Sequence, residues 1–286
     1  MVHKGTMSGW AAAACVLALG AAALAAENAP AFSYADYAGV LKTYVNERSL
    51  VDYKGLKAHP EGLDAFVRRL ADLKPQVYDA WPEDAKVALW LNAYNALTLK
   101  LIITHYPIQT SFPARLLYPD NSIRQIKGAW TDIKWDVMGR QVTLDYIEHD
   151  ALMKNFDEPR IHAALVCASM SCPPLRAEPY EGERLAAQLD DQARRFLADP
   201  QKGLRIERDN GRVYLSSIFD WFGDYFVKKF GTDSSFAGHS KNERAVLNFV
   251  SGYVSAEDRQ YVQTQKYTVK FMSYDWSLNE QKPAAN

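Results

Sequence analysis

The stretch Arg160-Ile-His-Ala-Ala-Leu-Val-Cys-Ala-Ser-Met-Ser-Cys-Pro-Pro174 brings His162, Cys167 and Cys172 into one short, otherwise apolar run. Cysteine and histidine do most of the nucleophilic, redox and metal chemistry available to side chains near neutral pH. Polar atoms in an apolar run are costly unless they are satisfied. The segment is therefore either a site or a carefully buried structural element. Two chemistries compete for its sulfurs. In an oxidising compartment Cys167 and Cys172 are a candidate disulfide, closing a loop short enough that its entropic stabilisation is small. Alternatively Cys167 is a thiolate nucleophile, which needs a base within reach. The two exclude each other in the resting state.

Candidate partners lie elsewhere in the chain. In Leu144-Asp-Tyr-Ile-Glu-His149, helical spacing puts Glu148 in the apolar stripe of Leu144, Ile147 and Ala151, with His149 at its edge. A buried carboxylate must be paired, so Glu148 either forms a structural ion pair, with Arg160 for instance, or belongs to a site. A catalytic reading makes Cys167 the nucleophile, His149 its base and Glu148 or an asparagine the orienting group. The small, turn-prone tail 168–174 would then offer backbone N–H groups to an oxyanion. Asn92 and Asn95 are three apart on a helix that is apolar almost all round. Buried amides need specific partners. They either bridge loops from inside the core or form a polar wall of a site. His162 is the weakest member: if 161–168 is a strand, alternation turns His162 and Cys167 to opposite faces. Asn92, Asn95, Glu148, His149 and Cys167 are expected to converge, because one shared network satisfies them together. His149, His162, Glu148 and a thiolate are suitable metal-ligand types, but no tight ligand spacing accompanies them. No metal and no cofactor is assigned.

The elements that must position these groups are mostly helical. Periodicity predicts helices over 34–47, 61–73, 144–154, 181–198, 217–229, 241–252 and 256–264. A long buried helix starts at Pro82 and runs to about His105, where Tyr106-Pro107 stops it. Residues 108–130 read as irregular. Hairpins are expected around Met138-Gly139 and, from Asp209-Asn-Gly211, near 204–215; a last strand covers 267–274. Residues 161–168 are a strand or a short helix. The fold class is α+β: a helix-rich single domain with a buried central helix, a small antiparallel sheet and the hairpin near 204–215.

Residues 1–26 have the anatomy of a signal peptide: Lys4, an uncharged run from Gly9 to Ala26, and Ala23-Leu24-Ala25 before Glu27. Residues 27–286 then suit one globular domain, periplasmic or secreted, with no later membrane span. Of the three cysteines, Cys15 leaves with the signal. The chain is 48% apolar and 23% charged with a formal net charge of −1. That gives no electrostatic case for nucleic acid or an anionic membrane.

Five stretches together resemble the DUF547 family of uncharacterised domains: Trp90-Leu-Asn-Ala-Tyr-Asn-Ala-Leu-Thr-Leu99, Leu144 to His149, Arg160 to Leu175, Leu215-Ser-Ser-Ile-Phe-Asp-Trp-Phe222 and Tyr274-Asp-Trp-Ser-Leu-Asn279. They occur in the family's order. The resemblance implies polar positions at Asn92, Asn95, Glu148, His149, His162, Cys167, Ser169 and Cys172. It also implies that Cys172 is Ser in plant members, which favours Cys167 as the thiol to watch. It implies no substrate. Two functions stand: a module that binds a small molecule, peptide or partner around a polar buried core, with a Cys167–Cys172 disulfide pinning the turn, and a cysteine-dependent hydrolase or acyltransferase acting on peptide, amide or cell-wall material. In the first, Asn92, Asn95, His162 and Ser169 contact the ligand; in the second, Cys167, His149 and Glu148 are catalytic.

Overall fold

The computed structural model describes residues 32–281. Residues 1–26, expected from the sequence to be a signal peptide, lie outside the described residues. Around the apolar run that follows Pro82 the chain builds its central helix, α5 (Glu83–His105), after four shorter helices, α1 (Ala35–Tyr44), α2 (Tyr53–Ala58), α3 (Glu61–Asp72) and α4 (Pro75–Asp79). α5 is long and apolar enough to cross a membrane, but here it is buried inside the protein. Helices α2 and α3, residues 146–153, the turn at 182–184 and α6 (Leu185–Ala198) pack around it. α3 shows why: Leu63, Phe66 and Leu70 fall on one face at helical spacing and are all fully buried. Short α2 and α4 were not expected from the sequence; each is little more than one turn.

The hairpin forms as predicted from β1 (Trp135–Val137) and β2 (Arg140–Val142), antiparallel, with Trp135 opposite Val142. Its turn residues Met138 and Gly139 both have positive φ, 54° and 68°, the geometry that matches strand twist in a two-residue loop. The second hairpin joins β3 (Leu204–Glu207) to β4 (Arg212–Leu215). β5 (Thr268–Phe271) adds to β4 in parallel, so this sheet is mixed rather than wholly antiparallel. The physical reason is the long crossover: α7 (Ser217–Trp221), α8 (Gly223–Phe230), α9 (Lys241–Ser251) and α10 (Ala256–Thr264) carry the chain back to run the same way.

Two predicted helices differ in ways that matter for the site. The segment read as a helix over 144–154 is a π-helix, Tyr146–Met153, in which the Lys154 N–H reaches the His149 carbonyl five residues back. Such wide turns recur at functional sites. The helix read over 217–229 breaks at Phe222, between α7 and α8. There Gly223 lets Asn242 approach so closely that a β-carbon would meet its side chain at 2.8 Å.

Two apolar cores result. One gathers α1–α6, β1–β2 and the π-helix; the other gathers α6, β3–β5 and α7–α10 around Phe196, Phe219, Phe226 and Phe249. The 160–174 segment and the tail from Met272 to Gln281 run along the line where they meet.

Candidate functional site

The cysteine segment is held from below by α5. Asn95 donates to the Ala164 carbonyl at 3.0 Å and accepts from the Val166 N–H at 2.9 Å. Asn92 repeats this at Tyr180, donating to its carbonyl at 2.8 Å and accepting from its N–H at 2.9 Å. Each amide copies one rung of a β-ladder and leaves two loop backbone groups satisfied deep in the core. The asparagines thus bridge loops and do not line the site. From above, the C-terminal tail is bonded to the same loop: Met170 N–H donates to the Ser277 carbonyl at 2.8 Å and Asn279 N–H to the Ala168 carbonyl at 3.1 Å. Between these supports Ala168 takes a left-handed conformation, φ 60°, a strained choice for alanine that persists only because its surroundings over-determine it.

Residues 159–163 form a single 3₁₀ turn, not a strand. The strand-alternation argument therefore fails. His162 and Cys167 do not point apart but share the wall of one cavity of about 130 Å³ at the meeting line of the two cores. Tyr94, Glu148, Leu165 and Cys172 also line it, together with an aromatic group of Trp130, Phe222, Tyr274 and Trp276. Trp221, 50% exposed, stands at the rim, stacked on Trp276 at 5.9 Å. Arg124 reaches the cavity from the irregular 108–130 segment. Its guanidinium lies over Tyr118 at 4.5 Å and Trp276 at 5.1 Å, and among the described residues no ion pair involves it.

The sulfurs of Cys167 and Cys172 lie at disulfide distance, with their Cα atoms 6.2 Å apart. Cys167 is half-buried and opens on the cavity; Cys172 is buried. Cys172 Sγ accepts from the Cys167 N–H at 2.9 Å and lies within reach of the Ser169 hydroxyl at 3.3 Å and the Tyr274 hydroxyl at 3.2 Å. Ser169 therefore sits against the sulfurs rather than on the open wall.

The electrostatics separate the titratable groups. Burial pushes the Glu148 carboxyl above its ordinary range, while His149 and a hydrogen bond from Tyr94 pull it back and Asp145 adds to the rise. Burial, with a smaller contribution from His149, lowers the pKa of His162 to about 3, so its imidazole is neutral. His162 stacks on Phe222 at 4.1 Å, and among the described residues its buried Nε2 has no hydrogen-bond partner. Glu148 faces inward as its helical position predicts, but its proposed partner Arg160 is committed to Glu158 and Asp190. His149 departs from the catalytic reading. It is exposed, with Nδ1 3.2 Å from both the carbonyl and the carboxylate of Asp145. The polar contacts of Cys167 Sγ are Ser169 and Tyr274, and no hydrogen bond joins it to His149. The expected convergence of Asn92, Asn95, Glu148, His149 and Cys167 is thus reduced to Glu148 and Cys167, joined by His162. Among the described residues no group of three or more His, Cys, Asp or Glu side chains is placed to hold a metal ion.

Sequence reasoning passed over Arg124 and the aromatic wall. Part of that wall was legible: Tyr274-Asp-Trp276 in an extended segment puts both rings on one side, and they lie 4.6 Å apart. Nothing in the sequence marks Arg124, which sits in a segment without periodicity.

Residues 78–197, which hold α5, the π-helix and the cysteine loop, match the family model described as a protein of unknown function, DUF547, so this stretch carries the DUF547 signature that its motifs resemble. No curated protein matches the chain, and no solved structure does.

Proposed function

We propose that this protein is an exported binding module whose ligand is a small organic carboxylate. The observation that carries this reading is the unpartnered Nε2 of His162, buried in the wall of an aromatic cavity. Buried polar atoms are nearly always paired, so an orphan beside a cavity points to a missing partner. The cavity is close to the ~150 Å³ that accommodates a benzene ring. Its aromatic wall suits the flat or apolar part of a ligand. A neutral His162 can hydrogen-bond without bringing charge, and burial shifts Glu148 toward its protonated form. Arg124, which donates to the Tyr118 hydroxyl at 2.6 Å and is in no ion pair among the described residues, supplies the countercharge for a carboxylate. Export rests on the sequence of residues 1–26.

The test is a titration of tryptophan fluorescence with benzoate and phenylacetate, with benzylamine as the charge-reversed control. Both acids should saturate the signal, benzylamine should not, and Arg124→Met should weaken the acids by about tenfold or more, the scale of one charge-assisted contact. Absence of saturation with either acid, or equal affinity in Arg124→Met, defeats the proposal.

The cysteine hydrolase or acyltransferase draws support from one observation: Cys167 opens on the same cavity as Glu148 and His162. It requires reduced sulfurs and a His149 that has left Asp145. In reduced protein, iodoacetamide should then label Cys167 quickly near neutral pH and slowly in His149→Ala. Equal rates remove His149 as the base.

A further inference from the structure

The two sulfurs occupy unlike environments. Cys167 is half-buried and lines the cavity. Cys172 is 1% exposed. Three donors reach the buried sulfur: the Cys167 N–H at 2.9 Å, Ser169 Oγ at 3.3 Å and Tyr274 Oη at 3.2 Å. The two hydroxyls lie nearly as close to Cys167 Sγ, at 3.4 and 3.3 Å, so the Cys167 N–H is the donor that belongs to Cys172 alone. A sulfur in a disulfide is a weak acceptor and gains little from three donors, whereas a thiolate gains much. The arrangement is therefore matched to a negative charge on Cys172. From it we propose that the Cys167–Cys172 pair is a thiol–disulfide exchange site for a low-molecular-weight thiol, with Cys167 the attacked sulfur and Cys172 the leaving thiolate.

The step balances as follows. The sulfur end of a thiolate RS⁻ reaches Cys167 Sγ from the cavity side and attacks it. The R–S–Sγ bond forms as the Cys167–Cys172 bond breaks, and its electron pair passes to Cys172. Each hydroxyl carries one hydrogen, and in the disulfide state Ser169 and Tyr274 also lie within reach of each other, at 3.2 Å, and of Cys167 Sγ. The new charge on Cys172 draws both hydroxyl hydrogens to itself. Burial raises the Tyr274 pKa, so its phenol remains an O–H donor throughout. A second RS⁻ attacks the sulfur of the R group in the mixed disulfide, giving RSSR and freeing Cys167. Two thiols are oxidised, one protein disulfide is reduced, and the two protons of RSH end on the protein dithiol. The reverse sequence oxidises the protein with RSSR. Leaving-group acidity sets the rate of such exchange, so the donors on Cys172 act on the step itself. The inference stands on the cysteine loop and is independent of the ligand proposed above.

The probe is glutathione. Oxidised protein is incubated in glutathione buffers under native conditions, quenched with acid and alkylated. Trypsin then releases Ile161–Arg176, which contains both cysteines. The expected result is reversible opening of the disulfide, with an early glutathione adduct on Cys167 in the wild-type protein. Cys172→Ser should accumulate that adduct; Cys167→Ser should form none on Cys172. Tyr274→Phe should slow opening by about tenfold, with an unfolding midpoint recorded beside it to separate chemistry from folding. Opening only at the rate of global unfolding, an adduct on Cys172, or wild-type rates in both Tyr274→Phe and Ser169→Ala would each overturn the proposal. The early wild-type adduct decides the matter even if a variant does not fold.

Discussion

Asn92 and Asn95 on the central helix, and Glu148 and His162 on the cavity wall, are all polar side chains in apolar surroundings, yet the two pairs are built differently. Each asparagine both donates to and accepts from a loop backbone at 2.8–3.0 Å. His162 leaves Nε2 unpaired, and both His162 and Glu148 have pKa values displaced by burial. A saturated polar group is finished within the fold. An unsaturated one, held beside open space by the same fold, is left with a bond to make. The asparagines serve the site only indirectly, by fixing the loop that carries Cys167.

The largest expected effect breaks the saturated pair. Asn95→Ala leaves the Ala164 carbonyl and the Val166 N–H unpaired, and each buried orphan costs about 1–3 kcal/mol. Chemical denaturation should show a loss of about 2–6 kcal/mol, with a similar loss for Asn92→Ala. A loss below about 1 kcal/mol would mean that the loops find other partners and that the contrast drawn here is false.

The next effect belongs to His162. Its folded pKa, about 3, lies below the unfolded value, so the unfolded chain takes up the proton first as pH falls. Stability should decline from about pH 6.5 toward pH 3 and level off below, with a slope approaching 1.4 kcal/mol per pH unit. Denaturation midpoints across that window should flatten in His162→Phe. An unchanged acid limb would place a partner on Nε2.

Glu148 should act with the opposite sign. Its folded pKa is raised, so its contribution to stability is full below the unfolded carboxylate pKa and is lost as pH rises through the folded value. Glu148→Gln should therefore gain on the wild type as pH rises above the unfolded carboxylate value of about 4.3. A variant that loses ground as pH rises would show that the carboxylate is well paired.

The smallest effect on stability is expected for Arg124→Met. Half-exposed cation–π contacts contribute about 0.5–1 kcal/mol, so its midpoint should barely move even where carboxylate binding fails. A large drop would assign Arg124 to structure.

How much of this was legible follows from the range of each interaction. The central helix, both hairpins and the inward face of Glu148 are local matters of period and turn chemistry, and all of them appear where the sequence puts them. The 160–174 segment was recognised as the centre of interest from composition alone. Its conformation was not, because an apolar run of eight residues carries no period that separates strand from turn. That one ambiguity misplaced His162, and it made His149 the better partner for Cys167.

Residue types and local spacing therefore determined which side chains needed an explanation: two amides, an inward carboxylate, a histidine and two cysteines in apolar chain. Only the tertiary structure decided which of them were already satisfied. That depends on backbone groups seventy or more residues away, such as Val166 for Asn95 and Tyr180 for Asn92. It also decided that Arg124, Tyr274 and Trp276 close the cavity, because the irregular 108–130 segment and the tail take their places by docking against the cysteine loop, and long-range docking leaves no periodic mark in sequence.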